Sequence, residues 1–583
     1  MDTSPITIPE VKPEIVFIFN LLDEVRAGKL RIPKFQRSYV WRREQMTELL
    51  DSIYHQFPIG SLLVWETEER VSSRDWIGPL KVPEATGGLS AHLLDGQQRL
   101  STLSGVLTPF TDTIEQKDDE EDPERWKIWF DIEKSTFEHF KSPDTQSEPR
   151  HFPMWKLLDT VAFLAESQRI LQDGGDKGEA YVQKIQVLLR RFQSYKVPVI
   201  RIKNTGLNQA VEIFARLNSK GQAMSADEMV SALSYREDQD FSLSEHIDKI
   251  LEELDSHGFG RIERVIVLRS LLAALGEDIY RTDWTRFTDQ KRSEVRDKLP
   301  RVVGQTQEAL VRATAFLHEQ GVHNHRLLPY AMQLVVLSAF FGACPEPTSK
   351  QRVFLRRWFW VSSFTGWFAS GNPSRVAALI REFREHVARE PEPVVLENMR
   401  LNEPAQPFPK TFDMRSARGR TLLLVILSQE PCDNKGDKVE EPWRRIGEHG
   451  PNAIGYIASG AKDRTLRSSP ANRILKFDVK DGSQAKNWLV QLGDEEDSKI
   501  SRILKSHAIP SKGLPLLKQN DADGFLKARL EYCIDLERKF MESNDVTPPL
   551  DREMRPSPID TGESDLTSRV NGLPKFLEGD LFR

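Results

Sequence analysis

The chain has 583 residues, enough for several domains and more than one hydrophobic core. Its residues are 39% hydrophobic and 29% charged, as in soluble globular proteins, and the formal net charge of -6 excludes a uniformly basic protein that coats DNA. A local basic groove remains compatible with that charge. The cysteines at positions 344, 432 and 533 form no CxxC pair, so a structural zinc site is not expected.

The compartment is expected to be the cytoplasm. Scattered single cysteines suit a reducing environment. The first residues, MDTSPITIPEVKPE, lack the basic and apolar stretches of a signal peptide, and no apolar run is long enough to span a bilayer. No membrane partner is therefore expected.

The first part of the chain has a mixed α/β pattern. In chain order, the predicted elements are a helix in IVFIFNLLDEV, a Pro-led extended segment RIPKFQRSYVW, a helix in WRREQMTELLDSIYHQF, a strand IGSLLVW, a strand HLLD and a helix GQQRLSTLSGVL. A strand WKIWFDI, helices near 155–172 and 178–194, and a strand KVPVIRI follow.

From about residue 208 the pattern becomes helical. A helix NQAVEIFARLN precedes a capping box formed by Ser225 and Glu228. The Pro-rich stretch NEPAQPFPK, near 402–410, marks a boundary, and a last clear helix covers DADGFLKARLEYCIDLERKFM. The predicted fold class is α+β, with domains at 15–235, 236–400 and 410–543 and a poorly ordered tail at 544–583.

The most informative segment is LLDGQQRLST at 93–102, where an apolar strand ends in Asp95. Gly96 allows backbone to approach a ligand, and the next residues open a helix whose first N–H groups attract phosphate. Arg99 could fork onto phosphate oxygens, Gln97 and Gln98 could donate to phosphate or orient a water, and Asp95 could hold Mg²⁺. The alternative, with similar weight on chemistry alone, is a strand–turn–helix corner capped by Asp95.

A second segment alternates polar and aromatic residues, Phe35-Gln36-Arg37 followed by Tyr39 and Trp41. Gln36 and Arg37 could contact a phosphate or a base edge, while Tyr39 and Trp41 could stack on a base. Core aromatics beside a surface arginine are the slightly favoured alternative.

A third segment, FARLNSKG, places Asn218 at the end of a helix and Gly221 in the turn that follows. Capping is the first explanation for an asparagine in that position. A ligand role for Asn218 is the minority interpretation.

Taken together, these segments resemble the N-terminal domain of the GmrSD-type restriction endonuclease family, in the ParB/sulfiredoxin-like superfamily. The family order is IPxFQRxYxW, a PIGSLLLW-like strand, LLDGQQRLTTL and FxRLNxxGxxLxxxE, found here at 32–41, 58–65, 93–103 and 214–228. Met224 stands where leucine is usual.

The resemblance implies a site that hydrolyses nucleoside triphosphates with Mg²⁺ and thereby licenses action on foreign, often modified, DNA. The implied catalytic set is Asp95, Gln97, Gln98 and Arg99, with Asp95 as metal ligand. The implied nucleotide-binding set is Gly96, Gln36, Arg37, Thr102, Asn218 and Gly221. Nucleotide and DNA are the expected partners, and a nuclease or modification-system protein or a second copy of the chain could join them.

Many relatives also carry a C-terminal HNH-type nuclease, whose chemistry needs a histidine base, a metal set and an orienting asparagine. Here the layout survives faintly, with His449 in EHGPN and Asn472 in ANR. Few histidines lie nearby, so a structural remnant is the favoured interpretation over an active nuclease.

Three functions therefore compete. The leading one is an NTP-dependent restriction or phage-defence component, the second a non-catalytic nucleotide- or DNA-binding regulator, and the third a stand-alone nuclease using the C-terminal region. The basic stretch RSARGR at 415–420 is a candidate DNA contact, with a solvated loop as an equal alternative.

Overall fold

The computed structural model describes residues 9–36, 38–69, 71–84, 88–108, 123–139, 148–207, 209–210, 213, 241–280, 289–370, 372–392, 395–433, 435–476, 485–492 and 498–549. Contacts divide the chain into two compact units, 1–248 with 282–297 and 249–281 with 298–583. The finer domain boundaries expected from the sequence stay a prediction, and the predicted disordered tail lies outside the described residues from 550 onward.

The first unit is built on a five-stranded mixed sheet with strand order β1-β10-β3-β6-β2. In chain order, the strands of this unit are β1 Glu10–Phe17, β2 Leu30–Arg31, β3 Leu62–Thr67, β4 Trp76–Ile77, β5 Leu80–Lys81, β6 Ser90–Asp95, β7 Trp129–Asp131, β8 Thr136–Glu138, β9 His151–Pro153 and β10 Lys196–Lys203. Strand β3 pairs antiparallel with β6 and parallel with β10, so the end of β6 and the starts of β3 and β10 meet at one edge.

Helices cover this sheet and complete its core. They are α1 Ile18–Arg26, α2 Arg43–Tyr54, α3 Gln97–Leu107, α4 Thr160–Asp173 and α5 Gly178–Ser194. All six residues of β3 are buried, and ten of the eleven residues of α3 are buried as well. A helix buried on almost every side is fixed in position by packing, so the residues at its start are held rigidly.

The rest of the described chain is mainly helical. Its helices are α6 Leu243–Ser256, α7 Arg264–Leu275, α8 Asp289–Glu319, α9 Ala331–Ala343, α10 Ser349–Thr365, α11 Pro373–Glu382, α12 Ala417–Leu427, α13 Pro442–His449, α14 Arg464–Ser468, α15 Ala485–Val490, α16 Ser498–Ser506, α17 Gly513–Lys518 and α18 Ala522–Ser543. A two-stranded hairpin, β11 Ile454–Tyr456 with β12 Arg473–Leu475, interrupts them. The predicted α+β class is confirmed.

The first predicted helix is present, but it begins later than the sequence pattern predicts. The helix expected in IVFIFNLLDEV begins only at Ile18, because residues 10–17 form β1 and pair antiparallel with β10. Ile15 and Phe17 lie opposite Pro198 and Lys196 in that pairing. Ladder hydrogen bonds to a distant strand override the local apolar pattern, which fits a helix and a strand equally well.

Among the described helices, none combines the length and the apolar character required to cross a lipid bilayer.

Candidate functional site

The candidate site is a corner of backbone where β6 ends and α3 begins. Gly96 has φ +95° and is the N-terminal cap residue of α3, so the cap position of this helix carries no side chain. A Cβ atom at Gly96 would lie 2.1 Å from Cδ2 of Leu62. Only glycine fits this conformation and this space. The start of a helix favours an anion, because its first N–H groups have no partner within the helix and because of the helix dipole.

Asp95 and Arg99 converge at this corner. Nη2 of Arg99 donates to Oδ2 of Asp95 at 3.1 Å, and Nη1 donates to the Ile59 carbonyl oxygen at 2.7 Å. The side chain of Asp95 is 36% exposed and that of Arg99 is 17% exposed. The two charged groups therefore share one environment.

The loop before β3 helps to hold the guanidinium. Gly60 has φ +85°, and a Cβ there would lie 2.5 Å from Nη1 of Arg99. The pairing of β3 with β6 shifts register between Leu63 and Val64, next to the residue that faces Asp95. Irregularities of this kind re-aim side chains at strand ends. Sequence reasoning identified residues 58–65 as a strand but missed Ile59 and Gly60 as part of the site. A glycine two residues before a buried strand is the signal that could have revealed them.

Gln98 joins the corner to the aromatic segment. Its Oε1 accepts hydrogen bonds from the backbone N–H groups of Val40 at 2.8 Å and Trp41 at 3.2 Å, and its Nε2 donates to the Ser38 carbonyl oxygen at 3.2 Å. The amide is therefore occupied in positioning residues 38–41. Gln97, also buried, takes the first position of α3.

The side chain of Gln36 likewise binds backbone, in this case that of β6. Its Nε2 donates to the carbonyl oxygen of Leu93, in β6, and its own carbonyl oxygen accepts from Nη2 of Arg74. Phe35 beside it is fully buried. The segments that contain Gln36 and Gln98, both predicted to contact nucleotide, are thus adjacent. The side chains of these two glutamines, however, bind backbone.

Tyr39 packs inside the unit. Its hydroxyl hydrogen-bonds with Oγ1 of Thr102 at 2.8 Å, its ring centroid lies 4.8 Å from that of Trp126, and Cζ of Arg125 lies 4.9 Å from it. Burial raises the pKa of Tyr39 to about 12. Trp41 packs against the same core, and its carbonyl oxygen accepts from Arg125. Base stacking by Tyr39 would require these contacts to open.

Three predicted residues, Arg37, Asn218 and Gly221, lie outside the described residues. Within the described part of the chain, no group of three or more His, Cys, Asp or Glu side chains is arranged to hold a metal ion. Mg²⁺ is often bound through one or two carboxylates together with substrate phosphates. Asp95, a single half-exposed carboxylate beside the start of α3, fits that mode.

The residues predicted for a nuclease do not assemble into one. Asn472 is fully buried; its Oδ1 accepts from the N–H groups of Ile457 and Ala458 at 3.1 and 2.8 Å, and its Nδ2 donates to the carbonyl oxygens of Ala458 and Arg467 at 3.1 and 3.0 Å. His449 ends α13, half-exposed, with Nε2 3.8 Å from Glu448. In the hairpin register, Asn472 adjoins the Tyr456 end of β11, whereas the chain from His449 enters at the other end.

The chain is similar to known proteins over most of its length. Residues 18–235 match the family model described as GmrSD restriction endonuclease, N-terminal domain. The chain is also similar to the uncharacterized protein MJ0686 of Methanocaldococcus jannaschii, with 22% identity over 568 residues that cover 88% of this chain and 95% of the relative. The match therefore extends well beyond the first unit.

Proposed function

From the premise that residues 18–235 are an N-terminal domain of the GmrSD restriction endonuclease family, we propose that this chain is the NTP-hydrolysing component of a cytoplasmic DNA-restriction system. The triphosphate binds at the start of α3, and its hydrolysis licenses action on foreign DNA. The observation that carries the proposal is the convergence of Asp95 and Arg99, 3.1 Å apart, beside the helix start at Gly96.

Arg99 is suited to grip phosphate. It makes two hydrogen bonds within the described residues, to Ile59 and Asp95, whereas a guanidinium has five N–H groups. The remaining donors can turn to phosphate oxygens, and the charge of the α3 dipole adds to their attraction. The fixed loop at Ile59 and Gly60 restricts the guanidinium to this edge.

Asp95 would hold Mg²⁺ together with phosphate oxygens, and the ion would neutralise charge that develops on the leaving phosphate. Phosphate binding by Arg99 would free the carboxylate from its ion pair. The buried amides of Gln98 and Gln36 keep residues 36–41 beside the corner. They act as positioning residues, while Gln97 stays the candidate for orienting the attacking water.

The test is phosphate release from each NTP with Mg²⁺, with and without modified DNA. We expect Asp95→Ala and Arg99→Ala to lose at least about a hundredfold in turnover, the usual effect of removing a charged group from a transition-state contact. Asp173→Ala is the matched control, because it removes the acid of another i,i+4 Arg–Asp pair in the same unit. Wild-type turnover in both site variants would contradict the assignment.

The alternative regulator is distinguished in the same assay. Saturable nucleotide binding that is lost in Arg99→Ala, with no phosphate release by the wild type, would support a sensor and contradict hydrolysis. A partner protein is proposed to cleave the DNA, since all the amide atoms of Asn472 are engaged by backbone in this chain. Assembly into a homo-oligomer stays a prediction.

A further inference from the structure

The hairpin of the second unit and the short helix between its strands carry exposed basic and aromatic side chains. Tyr456 is 50% exposed, and Cζ of Arg473, directly opposite it in the pairing, lies 3.7 Å from the centre of its ring. Arg464 and Arg467 are exposed on α14, which lies between the two strands in the chain. These four residues are called the hairpin patch.

The charge of this segment stands out against the rest of the chain. Residues 462–476 contain five basic residues and one acidic residue, in a protein of net charge -6. The acid, Asp463, caps α14 by accepting from the N–H groups of Thr465 and Leu466 at 2.7 and 3.3 Å. Within the described residues, the arginines of the patch make no salt bridge, whereas nearby Arg415 is paired with Asp413.

Two buried polar side chains fix the backbone beneath the patch. Asn472 ties the Arg467 carbonyl oxygen to the residues that follow Tyr456. Arg529, completely buried in α18, donates to the carbonyl oxygens of Ala471 at 2.5 Å and Arg473 at 2.9 Å. A surface segment held by so many buried hydrogen bonds is preorganised, which lowers the entropic cost of binding.

We propose that the hairpin patch binds single-stranded nucleic acid, with Arg464 and Arg467 on backbone phosphates and an unpaired base stacked on Tyr456. One face of the ring is backed by Arg473, which leaves the other for a base, and aromatic–base stacking with a neighbouring guanidinium is typical of single-strand recognition. The inference deepens the proposed function by locating a DNA contact, and it does not depend on hydrolysis at Asp95.

The experiment measures fluorescence anisotropy of a labelled oligo-dT of about 12 nucleotides, within the usual site size, bound by the full chain at several salt concentrations without nucleotide. We expect the double variant R464Q/R467Q to make the negative slope of log affinity against log salt shallower by about 1.4, since each phosphate contact on a single strand contributes about −0.7 to the slope. Tyr456→Leu, which keeps an apolar cover over Arg473, is expected to weaken binding at least fivefold, or about 1 kcal/mol of stacking.

The control is the double variant R444Q/K512Q, which removes two exposed cations of the same unit that already have carboxylate partners. It should leave the slope unchanged, and thermal unfolding should be the same for all variants. A wild-type slope in R464Q/R467Q, unchanged affinity in Tyr456→Leu, or tighter binding to the matching duplex would overturn the proposal. This test is independent of the test of the proposed hydrolysis site, because Asp95→Ala should retain oligonucleotide binding and R464Q/R467Q should retain phosphate release.

Discussion

Arg99 in the first unit and Arg529 in the second show two opposite uses of a guanidinium. Arg99 is 17% exposed, faces a carboxylate and makes two hydrogen bonds. Arg529 is fully buried and donates to four backbone carbonyl oxygens, those of Ala471, Arg473, His507 and Ala508. Arg529 therefore fixes backbone, whereas Arg99 keeps donors that a ligand can use.

The same substitution in both regions tests this contrast and has the largest expected effect. Arg529→Met keeps the aliphatic part of the side chain but leaves four buried carbonyl groups without their hydrogen-bond donor. We therefore expect the unfolding free energy to fall by about 4 kcal/mol. Arg99→Met should cost only about 1 kcal/mol, because its ion pair is partly exposed, while it should abolish phosphate release. Urea unfolding and phosphate release measure the two effects.

Arg529→Lys is the companion variant, since an ammonium can reach some of these carbonyl groups and should restore part of the stability. Equal losses of stability in Arg529→Met and Arg99→Met would remove the distinction between a structural and a ligand-facing arginine. Such a result would also weaken the proposed phosphate role of Arg99.

Local sequence patterns predicted the corner well and its partners poorly. The strand that ends at Asp95 and the helix that starts at Gln97 follow from an apolar run, a glycine and helical spacing, and both are confirmed. Gln98 and Gln36 were predicted to meet nucleotide, yet the atoms they bind lie about 57–60 residues away in the chain. Periodicity reports which face of an element is buried, and it carries no information on which distant backbone a polar side chain will meet.

For the same reason, the local pattern did not predict the strand pairing of β1 or the backbone partners of Asn472 beside the hairpin. Ile15 belongs to a strand because β10 lies beside it, a fact absent from the local pattern. Asn472 carried the signature of a nuclease residue, but its surroundings supply two N–H groups and two carbonyl oxygens at bonding distance. A buried amide with every group satisfied stabilises the fold and has nothing left for a substrate.

Each region also contains a buried histidine, which gives a second test of intermediate size. Burial lowers the pKa of His507 from its ordinary 6.5 to about 4, with Arg529 adding to the effect, and burial lowers the pKa of His92 to about 4 as well. At a pH between about 4 and about 6.5, each of these histidines is protonated in the unfolded chain but neutral in the folded chain. Stability should therefore fall as the pH drops from about 6.5 to about 4, by roughly 3 kcal/mol for each histidine.

Urea unfolding between about pH 7 and about pH 4.5 measures this dependence. His507→Gln should flatten the part that belongs to the second unit, and His92→Gln the part that belongs to the first. His55→Gln, at an exposed histidine, controls for the substitution itself. If both buried variants keep the wild-type dependence on pH, the two histidines are not held neutral by their surroundings.

The smallest expected effect concerns the glycine of the corner, and Gly88 offers a matched position. Both Gly88 and Gly96 have φ +95°, but a Cβ at Gly88 would meet nothing within 4 Å, whereas one at Gly96 would lie 2.1 Å from Leu62. Gly88→Ala should therefore cost only the conformational strain, about 1 kcal/mol, and Gly96→Ala about 2 kcal/mol by urea unfolding.

A second substitution separates the steric part of this cost from the strain. Gly96→Ala combined with Leu62→Ala removes the overlapping Cδ2 atom, so the penalty of the alanine at 96, measured against Leu62→Ala alone, should drop to that seen at Gly88. Equal costs at the two glycines in the wild-type background would mean that Leu62 moves aside freely. The corner would then be less rigid than a fixed site for phosphate at the start of α3 requires, because a precise binding geometry depends on neighbours that do not yield.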